Sequence, residues 1–391
     1  MRMRLPRPAR RRLHATAWLA FAWAAGACAP AARELTGAGG SFPAPVYTRW
    51  AAAYARATGV RVNYQPIGSG GGLRQVADRT VDFGATDVPH ATDVVAEPGL
   101  DARVVYVPML LGAVAVTYHL PGLDAPLRLS PEVLADLFLG RIARWDDPRV
   151  ATLNAGVTLP ALDVLVVHRA EGSGTTYILT DYLSAVSPAW RAAVGRGTAV
   201  RWPAGVGVRG NDGVAGLVRQ TPGAVGYVEA AYAARAGLPA AALRNQAGAF
   251  VTPTPAGAEA AAAAVTGTMA SAAEGSASDL RVTLVDAPGA ASYPLASFTW
   301  LLFDRAPRDP ERSRAVATFA RWALRHGAAD ARALGYAPLP PALARRADAA
   351  LAALGGGAAT ELAPARAGLA SVRADLSPAP TAPTAPAAAR R

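Results

Sequence analysis

Three short turns in this 391-residue sequence combine hydroxyls, glycine and a following helical pattern in a way that suits one kind of chemistry. Ser41-Phe42, Ser69-Gly70-Gly71 and Ser173-Gly174-Thr175 each stand directly before an apolar run with helical spacing. The first N–H groups of a helix have no acceptor one turn back, and they carry a partial positive charge, so such a junction offers donors to an anion. Arg169, four residues ahead of Ser173, adds a planar and permanently charged fork suited to oxyanions. Serine or glycine at a single turn is more often a simple cap than a ligand contact. Three such turns and a guanidinium together make an anion the natural guest.

Other chemistries find little support. The five histidines (His14, His90, His119, His168, His326) fall into no triad motif, and no Gly-x-Ser-x-Gly elbow occurs, so an enzyme is not expected. The chain contains no lysine, which removes the Gly-Lys-Ser/Thr loop of nucleotide-binding proteins. Cys28 is the only cysteine, so neither a disulfide framework nor a clustered-cysteine zinc site can form; no cofactor or metal is expected. The net charge of +11 invites a nucleic-acid reading, but six arginines with no accompanying acid lie ahead of Cys28 and the remaining +5 is scattered. Without an aromatic-interleaved basic stripe, nucleic acid is not expected as a partner.

The elements that must position these turns repeat one theme. Val60, Val62 and Tyr64 alternate before Gly68-Ser69-Gly70-Gly71-Gly72, and Leu73, Val76 and Ala77 follow at helical spacing. Val164–Val167 form a β-branched run before Arg169, and Ile178, Tyr182 and Val186 then recur every fourth residue. Val46, Trp50, Ala53 and Ala57 mark another helix, with Pro43 near its first turn and Ser41 at a natural cap position. Gly210-Asn211-Asp212-Gly213 introduces a fourth helix through Val214, Leu217 and Val218, which Pro222-Gly223 ends before the strand Val225–Val228. Strands alternating with helices predict an α/β chain with mainly parallel sheets, and 391 residues exceed what one core usually holds.

Two ends of the chain read differently. Residues 1–29 have an arginine-rich start, an apolar run from Ala15 to Ala25 too short to span a bilayer, and the small residues Ala25-Gly26-Ala27-Cys28-Ala29, which predicts an export signal. Two outcomes stay open there: lipid attachment at Cys28, or ordinary cleavage after an Ala-x-Ala. Residues 255–275 are alanine-rich and read as a helical surface segment. Residues 351–391, Ala/Pro-rich from about Gly355, read as a disordered or extended tail.

The run Leu35-Thr36-Gly37-Ala38-Gly39-Gly40-Ser41-Phe42-Pro43-Ala44-Pro45-Val46-Tyr47 resembles the opening of the periplasmic phosphate-binding proteins of phosphate ABC transporters, the PstS family. Further resemblances follow in order: Val62 to Gly72, Val81-Asp82-Phe83-Gly84-Ala85-Thr86-Asp87, Leu139-Gly140-Arg141-Ile142 with Trp145-Asp146-Asp147, Arg169 to Thr175, Gly210 to Gly213 and Gly223 to Glu229. The resemblance implies a two-lobed periplasmic-binding-protein fold, type II-like, with the ligand in a cleft between lobes joined by two hinge strands. It implies lobe I from residues 33–112 and 295–350, lobe II from 113–294, and crossovers near Gly112 and Pro294. Phosphate donors would be Ser41, Phe42, Ser69, Arg169, Ser173, Gly174 and Thr175, with Asp87 accepting a hydrogen bond from the protonated anion. Glu171 stands where the family often has aspartate and would support Arg169; the turn after Ser69 is all glycine where many members have a second serine. The implied partners are inorganic phosphate and the membrane permease subunits of an importer with their ATPase, and a monomer is expected. A binder of another tetrahedral oxyanion, or a phosphate sensor uncoupled from transport, is the alternative.

Overall fold

The computed structural model describes residues 34–95, 97–123, 126–269 and 280–354. The export segment with Cys28, and the chain beyond Leu354, lie outside the described residues.

Twelve strands occur among the described residues. They are β1 (Glu34–Gly39), β2 (Arg61–Gln65), β3 (Phe83–Thr86), β4 (Val104–Tyr118), β5 (Arg128–Leu129), β6 (Leu165–Arg169), β7 (Val206–Val208), β8 (Ala224–Glu229), β9 (Ala242–Arg244), β10 (Phe250–Val251), β11 (Ala296–Asp304) and β12 (Ala337–Pro338). Nine form one sheet in the order β2-β1-β3-β11-β4-β8-β6-β7, with β12 also on β4, while β10-β9-β5 make a small separate sheet. The expected parallel pairings appear on both sides of the large sheet: β1 with β2 and β3, and β6 with β7 and β8. The strands between them run antiparallel, because β4 and β11 carry the chain across the sheet rather than through a strand–helix–strand unit.

β4 decides the architecture. Its stretch Val104–Ala113 pairs with β11, with a bulge at Met109, and its last five residues, Val114–Tyr118, pair with β8. One continuous strand thus belongs to two half-sheets and changes partner between Ala113 and Val114. The second connection lies beside it: Val114 N donates to Leu295 O at 2.8 Å, Tyr293 Oη donates to Val114 O at 2.8 Å, and β11 begins at Ala296. Two adjacent extended crossings with few residues each are how a chain joins two bodies while leaving a hinge between them.

Helices cover both half-sheets, and their starts follow from local chemistry. Ser173 caps Gly174–Val186, its hydroxyl accepting from Thr176 N at 3.2 Å, and the expected spacing buries Ile178 and Tyr182 on one face. Each such side chain contributes about 1.5–3 kcal/mol of apolar burial. The helix Ser69–Ala77 lies close on β1: a Cβ at Gly72 would come 2.5 Å from Gly39 Cα, so only glycine permits this approach.

The structure departs from the sequence reading in four places. The large sheet is mixed rather than mainly parallel, its four parallel pairings matched by four antiparallel ones. Ser41 is not a cap; the helix Ala44–Thr58 starts after Pro43, whose fixed φ suits the entry, and no side chain caps it. The alanine-rich helix, Pro255–Met269, is not a surface segment: Ala258, Ala261 and Ala262 are fully buried against β4, β11 and β12, since small side chains let the helix sit close to the strands. The helix Pro341–Leu354 continues four residues into the segment assigned to the tail and buries Leu351.

Candidate functional site

The serine and glycine turns from both half-sheets meet edge to edge. Ser69 and Asp87, from neighbouring loops of the first half, are buried together; Ser69 Oγ lies 3.3 Å from Asp87 Oδ2 and 3.4 Å from Asp87 N. Gly174, at the start of its helix in the second half, faces them so closely that a Cβ there would stand 2.4 Å from Asp87 Oδ2 and 2.5 Å from Ser69 Oγ. Gly70 N donates to Gly172 O at 3.1 Å, a backbone bond between the two halves. The helix starts at Ser69 and Gly174 therefore face each other across the seam.

Arg169 ends β6 and is 3% exposed. Its Nε donates to Glu171 Oε1 at 2.7 Å, Nη2 donates to the same oxygen, and Nη1 lies 3.4 Å from Thr175 Oγ1. These bonds use three of its five N–H hydrogens and fix the plane of the fork. Burial alone would raise the Glu171 carboxyl, but the Arg169 bonds and charge, with the Gly210 amide at 3.0 Å, hold it below the ordinary range. Glu171, longer than the aspartate usual in the family it resembles, thus still reaches the arginine.

Asp87 is in the opposite condition. Burial pushes its carboxyl up to about 7, against the pull of the neighbouring Thr299 and Ser69 hydroxyls and the Arg169 charge. Its Oδ1 is buried and has no hydrogen-bond partner among the described residues. A carboxylate oxygen in that state calls for a donor.

The first loop is held by residues the sequence reading gave no role. Ser41 Oγ accepts from Asn211 Nδ2 at 3.0 Å, and Ser41 O accepts from Tyr232 Oη at 2.6 Å. Tyr336 Oη lies 2.7 Å from Phe42 O and 2.8 Å from Glu229 Oε2. One hydroxyl hydrogen cannot serve both acceptors well. Burial pushes Glu229 well above the ordinary carboxylate range, and a neutral Glu229 donating to Tyr336 while Tyr336 donates to Phe42 satisfies both contacts. Tyr227 Oη supports the arginine strand from behind, 3.1 Å from Arg169 N and 2.6 Å from Thr176 Oγ1. Asn211, Tyr227 and Glu229 do lie within motifs quoted above; Tyr232 and Tyr336 carry no local signal.

Of the other expected residues, Ser173 and Thr175 are fully buried at the same helix start, Ser173 as its cap. His168, on the strand before the arginine, stacks on Trp202 with ring centroids 4.8 Å apart. A surface cavity of about 190 Å³ bordered by Arg79, Asp304, Arg308 and Arg312 shares none of these residues, and Arg79 and Arg312 are paired with Asp304 and Asp82.

Two half-sheets joined by adjacent crossings, with helix starts facing each other across the seam, define a two-lobed solute-binding protein. Residues 24–326 match the model of the PBP superfamily domain. The chain is 43% identical over 310 residues to phosphate-binding protein PstS of Pasteurella multocida (strain Pm70), covering 79% of this chain and 87% of that one. It is 39% identical over 317 residues to the PstS of Xylella fastidiosa (strain 9a5c), covering 81% and 84%. The fold matches the crystal structure of a phosphate binding protein from Stenotrophomonas maltophilia with a TM-score of 0.58 at 22% identity, over 81% of this chain and 94% of that one. The chain belongs to the PstS family of periplasmic phosphate-binding proteins.

Proposed function

We propose that this chain binds inorganic phosphate between its lobes and presents it to the permease and ATPase subunits of an ABC importer, without changing it chemically. The observation that carries this reading is Asp87 Oδ1, a buried acceptor without a donor, set beside two helix starts and a buried guanidinium. A tetrahedral oxyanion that still bears a proton matches that set: its oxygens accept from Ser41, Phe42, Ser69, Arg169, Ser173, Gly174 and Thr175, and its hydroxyl donates to Asp87. The names of its relatives support the same ligand. The lobes in this reading are 33–112 with 295–350, and 113–294. The protein works as a monomer in the periplasm or cell envelope, with Cys28 either lipidated or removed with the export signal.

Calorimetric titration of the purified protein with phosphate and with sulfate tests this. Phosphate is expected to bind tightly and to raise Tm, a hundredfold excess over Kd adding about 2.7 kcal/mol of stability. Tight sulfate binding, or no response to phosphate, would end the reading.

Gly174→Ala tests the seam. Its methyl would fall 2.4 Å from Asp87 Oδ2, so closure is opposed by overpacking worth about 1–3 kcal/mol. Phosphate affinity should fall roughly five- to hundredfold. An unaltered Kd would place the anion elsewhere.

A further inference from the structure

We infer that Asn211 is a positioning residue for the anion, bridging the lobes and fixing the Ser41 hydroxyl as a donor. The inference rests on the phosphate reading above and adds to it a residue that touches no ligand itself. Asn211 is fully buried at the start of the helix Gly210–Gln220, in the second lobe, and its side chain has two distinct ends. Its Oδ1 lies 3.2 Å from Glu229 N. A backbone N–H can only donate, so the carbonyl end of the amide must face it and the NH₂ end must face the other way. There it meets Ser41 Oγ of the first lobe at 3.0 Å, 170 positions away in the chain. Ser41 Oγ is therefore an acceptor on that side, and its single hydrogen is turned away from Asn211 and free for an acceptor in the cleft.

A serine hydroxyl by itself rotates and donates or accepts as its neighbours require. Against an anion only one of those polarities is useful. Asn211 removes the other, and because the bond crosses between lobes, this selection is made as they close. Tyr232, in the same lobe as Asn211, donates to Ser41 O at 2.6 Å and holds the loop backbone while the amide sets the hydroxyl.

The experiment is a double-mutant cycle in phosphate affinity with Asn211→Ala, Ser41→Ala and the pair, measured by titration calorimetry alongside the Tm of each protein without phosphate. Asn211→Ala alone should weaken phosphate roughly three- to tenfold and cost nothing further in the Ser41→Ala background, while the unliganded Tm falls by the same amount in both backgrounds because Glu229 N loses its acceptor. Asn211→Asp should weaken it more, since a carboxylate takes the Ser41 hydrogen for itself and sets a like charge near the anion. If the wild-type protein fails to bind phosphate, the functional reading falls and this inference with it. If wild type binds and Asn211→Ala binds equally well, or loses as much in the Ser41→Ala background, the positioning role alone is overturned. Should Asn211→Ala not fold, Asn211→Ser, whose shorter side chain cannot span to Ser41, takes its place in the cycle with the same outcomes.

Discussion

Arg169→Met is expected to weaken phosphate binding by about 2–5 kcal/mol, roughly thirtyfold to several thousandfold. The guanidinium is buried, with three N–H groups committed to Glu171 and Thr175, so its remaining two donors approach an anion from a plane already fixed. Preorganisation of this sort makes a charged donor effective, because no side-chain freedom is lost when the ligand arrives. Methionine fills similar space without charge and leaves Glu171 without its counter-charge beside the incoming anion, with only the Gly210 amide still donating to it, adding repulsion to the lost attraction. Arg169→Lys is expected to recover only part of the affinity: an ammonium keeps the charge but cannot hold Glu171 and the anion in one plane. Calorimetry on both variants distinguishes the roles. A methionine variant within threefold of wild type would remove Arg169 from the site.

Much of this arrangement could be read locally. A helix start is built from consecutive residues, so Ser69-Gly70-Gly71 and Ser173-Gly174-Thr175 announce themselves as such through a strand, a turn and a helical period in order. The crossover was not read from local pattern: a position near Gly112 came only with the family resemblance, and the structure has β4 run through it and change partner between Ala113 and Val114. Ser41 shows the limit. A serine two residues before a helix-opening proline looks like a cap, yet its hydroxyl is taken by Asn211 from the other lobe. Nothing in either neighbourhood encodes a partner 170 positions away, nor one 294 positions away as in the Tyr336–Phe42 contact. The alanine-rich helix misled in the opposite sense, since alanines give no apolar stripe to read; their smallness becomes informative only against the strands they pack on.

Asp87→Asn is expected to narrow the preference for phosphate over sulfate by about 2–4 kcal/mol, roughly thirtyfold to a thousandfold. Near neutral pH phosphate retains a proton to donate to the orphaned Asp87 Oδ1, whereas sulfate has none and would set two buried acceptors against each other. Asparagine offers an NH₂ in the same place, so sulfate gains a donor while phosphate exchanges a charge-assisted bond for a neutral one. The pH dependence carries a sign that tests the same group. With the Asp87 carboxyl raised to about 7 by burial, acidification through that value protonates it and turns an acceptor into a donor, so wild-type sulfate affinity should rise as the pH falls from 8 to 6. The asparagine variant should show no such rise. Stability follows the same proton: a carboxyl held above its ordinary value of 3.8 favours the folded state fully below that value and loses this contribution as the pH climbs to about 7. The unliganded variant should therefore gain in Tm over wild type across that interval and hold a constant lead above it. Identical sulfate titrations for the two proteins at every pH would mean that Asp87 does not choose the anion.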